Sequence, residues 1–168
     1  MSNAFDELYE RVVGVDIYDV ASVVIDSTVV KDFIIDTIQD RIFMTGEVAD
    51  GTELRTDAAP DGEFYSPNTV KIKKQDGKQT KNVTLSDSGE FYESWDVDVM
   101  DTFFEVKADF EKRGGIDHIG DNFTALFNSN QDFETQVLMF TDEEFDLFIK
   151  EIFKPRFLQV YKNRITNG

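Results

Sequence analysis

The chain has 168 residues, no cysteine, and 17 Lys+Arg against 34 Asp+Glu, for a formal charge of -17 at pH 7; its hydrophobic content is 40% and includes 16 phenylalanines. A chain of this length supports one core that buries about 70% of the surface exposed when unfolded, and the apolar content argues against disorder despite the charge. The missing thiols exclude disulfide scaffolds, thiolate zinc sites, iron–sulfur ligation and cysteine nucleophiles, while the acidic balance opposes nonspecific binding to nucleic acid and docking on anionic membranes.

The first ten residues hold neither a basic region nor an apolar run of signal-peptide length, and stretches such as Val23 to Ile25 are too short to span a bilayer, so use without export and without a membrane is expected. Phe5, Leu8, Tyr9, Val12 and Val13 recur at helical spacing before Gly14, which predicts a short amphipathic helix over 3–13. Val20 to Ile25 is compatible with helix or strand. A stronger helix is predicted over 27–44, with Val30, Phe33, Ile34, Ile38 and Ile42 on one face and Gly46 as its stop.

Residues 47–62 carry Glu47, Asp50, Glu53, Asp57 and Asp61 against Arg55 and show no hydrophobic period, so a long acidic loop (about 47–64) is expected. The sign then reverses: over 63–82, Lys71, Lys73, Lys74, Lys78 and Lys81 face only Glu63 and Asp76, a net +3, with Asp76-Gly77 marking a turn. Asp87 and Glu90 have capping-box spacing for a short helix. Trp95, Val97 and Val99, then Phe104, Val106, Ala108 and Phe110, alternate with charged residues on either side of Asp101-Thr102, the pattern of a β-hairpin with one apolar face.

Residues 111–134, with Gly114-Gly115 and Gly120, read as a second long loop, and Val137 to Phe140 as a short strand. Thr141 and Glu144 form a capping box for a final helix carrying Phe145, Phe148, Ile149, Ile152 and Phe153, where Pro155 predicts a kink or two helices meeting; Phe157, Val160, Tyr161 and Ile165 continue the stripe. From Lys154 onward there are four cations and no acid. These elements predict a single α+β domain over 1–168: a small antiparallel sheet with a β-hairpin packed against N-terminal and C-terminal amphipathic helices, with long loops.

Phosphate-cradling and nucleophile-elbow motifs are absent. His118 beside Asp117 and Asp121 is the only imidazole and lacks companion ligands, so it reads as a loop histidine. Asp96, Asp98 and Asp101 fail as a calcium loop because Asp101 stands where glycine is required, and Ser88 has no recognisable base. No catalytic residue, cofactor site or metal site is therefore assigned, and the chain is read as non-enzymatic. The basic segments fit contacts between copies of an otherwise acidic protein, and the lysine cluster equally fits simple solvated loop lysines. Their interface candidates are Tyr65, Lys71, Lys73, Lys74, Lys78, Lys81, Arg156, Lys162 and Arg164.

Leu85-Ser86-Asp87-Ser88-Gly89-Glu90-Phe91-Tyr92-Glu93-Ser94, followed by the hairpin, resembles the core motif of tailed-phage tail-completion and virion-morphogenesis proteins. Upstream, Tyr65-Ser66-Pro67 and Thr69 leading into Ile72-Lys73-Lys74 and Gly77-Lys78 resemble variants from phages of Bacteroides-like bacteria, and Leu138 to Glu143 resembles the approach to that family's final helix. The resemblance covers roughly residues 28–165. It implies a virion protein, assembled in the host bacterial cytoplasm, that forms a ring at the head–tail junction or the top of the tail. Its partners would be copies of itself and portal, neck or tail proteins, and DNA would pass without specific binding. The alternative is an acidic inhibitor or DNA-mimic module that binds a basic host protein.

Overall fold

A computed structural model of the chain describes residues 4–55, 59–86, 89–101, 103–110 and 133–167. In order, the elements are α1 (Ala4–Val13), α2 (Ile17–Ile25), α3 (Thr28–Thr45), α4 (Pro67–Gln75), α5 (Glu90–Glu93), β1 (Asp96–Val99), β2 (Phe104–Lys107), α6 (Phe133–Leu138) and α7 (Asp142–Leu147), then a π-helical segment (Phe148–Phe153) and α8 (Lys154–Asn167). The sheet is the antiparallel pair β1-β2, so the architecture is α+β. The described residues gather into two compact units. One draws on residues 1–34, 97–105 and 142–168, the other on 35–96 and 106–141.

In the first unit, Asp16 decides the ambiguous segment after Gly14. Its carboxylate accepts from the backbone N–H groups of Tyr18 (2.9 Å) and Asp19 (3.4 Å), capping α2 and turning Val20 to Ile25 into helix. Val20 and Val24 from α2, Val30 and Ile34 from α3, and Val97 from β1 are buried with Phe148. The ring of Phe148 lies 6.0–6.4 Å, centroid to centroid, from those of Phe33, Phe104, Phe145 and Phe153. Offset and edge contacts of this kind each contribute about 0.5–1.5 kcal/mol beyond area burial.

Pro155 sits where two helical elements meet, the π segment ending at Phe153 and α8 beginning at Lys154, and it does not end the helical run. The backbone runs without interruption through α7, the π segment and α8, and the Lys154 N–H reaches back five residues to Ile149 O. A widened turn just before proline accommodates a residue that has no N–H to donate and whose ring crowds the preceding turn. It also sets the aromatic stripe. Phe148 and Phe153 are five apart, one π turn, and Phe153, Phe157 and Tyr161 follow at intervals of four, with centroid separations of 5.6 and 6.1 Å. The α8 helix packs on α2 and α1.

In the second unit, Ile38 and Ile42 of α3 meet Val48, Leu54, Val83, Leu85, Phe91, Trp95, Phe110 and Val137 in a buried core. The acidic segment after α3 is only partly a loop. Val48 N–H donates to Thr52 O (3.0 Å) and Leu54 N–H to Gly46 O (2.6 Å), and Glu47 bridges Glu53, so a tight antiparallel turn drives Val48 and Leu54 inward while its acids stay toward solvent. Two buried residues six apart leave no periodic trace in sequence.

The predicted strand at Val137 is corrected to helix α6. Arg41 on α3 donates from one guanidinium nitrogen to Met139 O (2.9 Å) and Val137 O (3.4 Å), satisfying carbonyls at the end of α6. Ala49 N–H holds Gln136 O at 3.0 Å. The loop expected over 111–134 lies outside the described residues up to 132, and its last two residues open α6.

Candidate assembly surfaces

The lysine-rich segment forms α4. Ser66 caps it, accepting from Thr69 N–H at 3.2 Å with Pro67 at the first turn, and Asp76-Gly77 closes it. Gly77 N–H bonds Lys74 O (3.3 Å) and Lys78 N–H bonds Lys73 O (2.8 Å), the paired bonds of a Schellman C-cap, made possible by Gly77 at φ 68°. The expected turn is thus a helix stop. No residue of α4 is buried, and Lys71, Lys74 and Lys81 are exposed.

Tyr65 differs from the other interface candidates because it belongs to the core. It is 6% exposed, with the Lys73 ammonium 4.6 Å from its ring centroid and its hydroxyl accepting from Thr84 N–H at 3.3 Å. The surface it leaves is that of Lys73, half-buried above it. Arg156, Lys162 and Arg164 lie on α8 in the first unit, whereas Tyr65 and the five lysines lie in the second. Arg156 donates to Ile152 O (3.3 Å) in the turn before Pro155, Lys162 is exposed, and Arg164 pairs with Asp19.

The segment quoted for the phage resemblance is a scaffold. Leu85, buried, has φ 51°, and Gly89, at φ 93°, is the N-cap of α5 with no side-chain cap bond, so Glu90 is the first helical residue, which corrects the predicted Asp87–Glu90 capping box; Asp87 and Ser88 lie outside the described residues. Phe91 is fully buried and touches the rings of Tyr92, Trp95 and Phe110 at 5.1–6.0 Å. Ser94 accepts from Asp109 N–H (2.9 Å) and donates to Phe91 O (2.6 Å), fastening α5 to the chain just beyond β2.

Tyr92 donates its hydroxyl proton to Thr84 O. Burial, and secondarily Tyr65 and Asp40, push its pKa well above the ordinary tyrosine value of 10.0. The unfolded chain therefore loses this proton first as pH rises, so the stabilisation is complete below pH 10 and declines above it, with a limiting slope of about 1.4 kcal/mol per pH unit. Thermal melts between neutral pH and strongly alkaline pH should show the decline, and Tyr92→Phe should remove part of that slope while costing about 1 kcal/mol at neutral pH.

Sequence reasoning missed two surfaces of the first unit. Every described side chain of α1 from Glu7 to Val13 is exposed, so its stripe of Leu8, Tyr9, Val12 and Val13 faces outward, continued by Ile17 and Tyr18 of α2. Among the described residues of the second unit, only Phe43, Met44, Ile72 and Met139 are large, apolar and exposed. The other surface is an open cleft of about 750 Å³ lined by Arg11, Gly14, Val15, Asp16, Val160, Asn163 and Arg164. It joins residues about 150 positions apart through the packing of α1 on α8, a juxtaposition with no local signal.

No group of three or more potential metal ligands occurs among the described residues, and His118 lies outside them. No described helix is long and apolar enough to cross a membrane. Comparison of the chain with protein families, curated proteins and solved structures finds no match.

Proposed function

We propose that this chain is a non-enzymatic structural subunit of a tailed-phage virion, repeating as a ring at the head–tail junction or the top of the tail. The observation that carries the assembly reading is the uncovered apolar stripe of α1 and α2 in an otherwise strongly charged chain. An amphipathic helix keeps its apolar face toward a partner, and contiguous exposed apolar surface marks an interaction site. The resemblance over residues 28–165 supplies the virion setting, and the scaffolding role of its motif residues agrees with a family whose work is geometric.

The charge distribution supports the same reading. Outside α4 and α8 the chain is overwhelmingly acidic, and a passage lined by carboxylates repels phosphates, so DNA slides through it without being retained by counterion release. The cations on α4 and α8 serve as contacts to neighbouring copies and to portal, neck or tail proteins. Light scattering of the purified chain across a concentration series should show association beyond the monomer, weakened by Val12→Glu with Val13→Glu on α1. A chain that stays monomeric and instead captures one basic host protein would identify the inhibitor class.

A further inference from the structure

We infer that the cleft between α1 and α8 is the receptor for the α7 face of a second copy of this chain, an inference that rests on the assembly reading above and specifies its contact. The cleft is lined by two apolar side chains, Val15 and Val160, two guanidinium groups, Arg11 and Arg164, and one carboxylate, Asp16, which is engaged in capping α2. Arg164 is engaged by Asp19 within the chain. Arg11 makes only long contacts, 3.5 Å to Ile165 O and Thr166 O, and has no carboxylate partner among the described residues. A guanidinium carries five donors, so Arg11 retains the capacity to hold a carboxylate. The ligand chemistry that matches is an acidic segment bearing large apolar side chains.

This chain presents such a segment in the same unit. The α7 helix opens with Asp142, Glu143 and Glu144, and its exposed side chains are Asp142, Glu143, Phe145, Asp146, which pairs with Lys150, and Leu147, the two apolar ones 47% and 50% exposed. Asp142 and Glu143 form no ion pair among the described residues. Carboxylates next to exposed Phe and Leu complement guanidinium groups next to Val15 and Val160 in both charge and polarity.

The contact joins different copies because of where the two surfaces stand. The α7 helix begins, and Val160 to Arg164 nearly ends, one uninterrupted helical run, which places them about 30 Å apart along the backbone at 1.5 Å per residue. A helix cannot bring its own two ends together, so the acidic face of one subunit meets the cleft of the next. Such a contact uses two different surfaces and is heterologous; repeated, it closes into a ring if the rotation closes and otherwise extends as a filament.

The lack of native cysteine makes the contact directly mappable. Glu143→Cys and Asn163→Cys, both at exposed positions, are made separately and together in the full chain. Under oxidation, the mixed single variants should give a disulfide-linked heterodimer, and the double variant a ladder of intermolecularly linked oligomers. A control pair, Glu143→Cys with Lys71→Cys, should link at a rate at least ten times lower. Independently, Arg11→Glu, whose only interactions among the described residues are the two long carbonyl contacts, should weaken self-association at least tenfold while leaving the circular dichroism spectrum unchanged.

Association without preferential 143–163 linkage would overturn this contact and leave the ring reading intact. Association unaffected by Arg11→Glu would also count against the contact. A chain that remains monomeric at all accessible concentrations would overturn both.

Discussion

Phe148→Ala is expected to destabilise the protein by about 3–5 kcal/mol, the largest effect of any single truncation in the first unit. Phe148 is 1% exposed and its ring is flanked by four others, from α3, β2, α7 and the end of the π segment. Removing it leaves a cavity bordered by side chains anchored on separate elements, which limits how far they can collapse into the space. The loss should appear as a fall in melting temperature of roughly 10 °C, at about 2–4 °C per kcal/mol for a chain of this size. Phe145→Ala is the matched control. That ring is 47% exposed, so its truncation should cost less than half as much in the same calorimetric or circular dichroism melt.

Gly46→Ala should have the second-largest effect, for two separable reasons. Gly46 has φ 71°, and a left-handed backbone costs a residue with a side chain about 1–2 kcal/mol. A methyl group there would also stand 2.8 Å from Asn82 Cβ and 3.0 Å from Val83 O, and overpacking of this kind adds about 1–3 kcal/mol. The displaced neighbour matters because the Asn82 side-chain amide donates to Phe43 O (3.1 Å) and Ile42 O (3.4 Å), carbonyls at the end of α3. Gly51→Ala isolates the backbone part, since Gly51 has φ 83° with open space where a Cβ would stand. Chemical denaturation of the two variants should therefore differ by about the overpacking cost.

Part of this fold is legible in sequence because local chemistry and tertiary packing agree. Val30, Ile34, Ile38 and Ile42 recur every four residues and are all fully buried on α3, and the two-residue alternation around Asp101 is a hairpin closed by Met100 N–H on Phe103 O at 2.8 Å. Where the deciding partner is distant, sequence fails. The helical state of residues 133–138 is favoured by Arg41, nearly a hundred positions away, and the burial of Val48 and Leu54 depends on a turn whose exposed acids mask it. The π segment corresponds to the five-residue step from Phe148 to Phe153, and the predicted apolar stripe runs through both positions without marking the wider turn.

The candidate surfaces divide along the same line. Of the α4 lysines, Lys71 and Lys74 are exposed while Lys73 lies half-buried over Tyr65, which, grouped with them by proximity, is withdrawn into the core because its ring and hydroxyl both find partners there. The cleft at Arg11 and Arg164 could not be read from either end of the chain alone. Its apolar and cationic parts come from helices whose contact is tertiary.

The most direct test of the proposed virion role is a subunit-resolution reconstruction of the tailed-phage particles that this proposal requires to contain the chain. The expected result is a closed ring of copies at the head–tail junction or the top of the tail, with the α7 face of each copy seated against the α1–α8 cleft of the next. Virions that contain no copy of the chain, at a resolution where every neck and tail component is traced, would contradict the assignment.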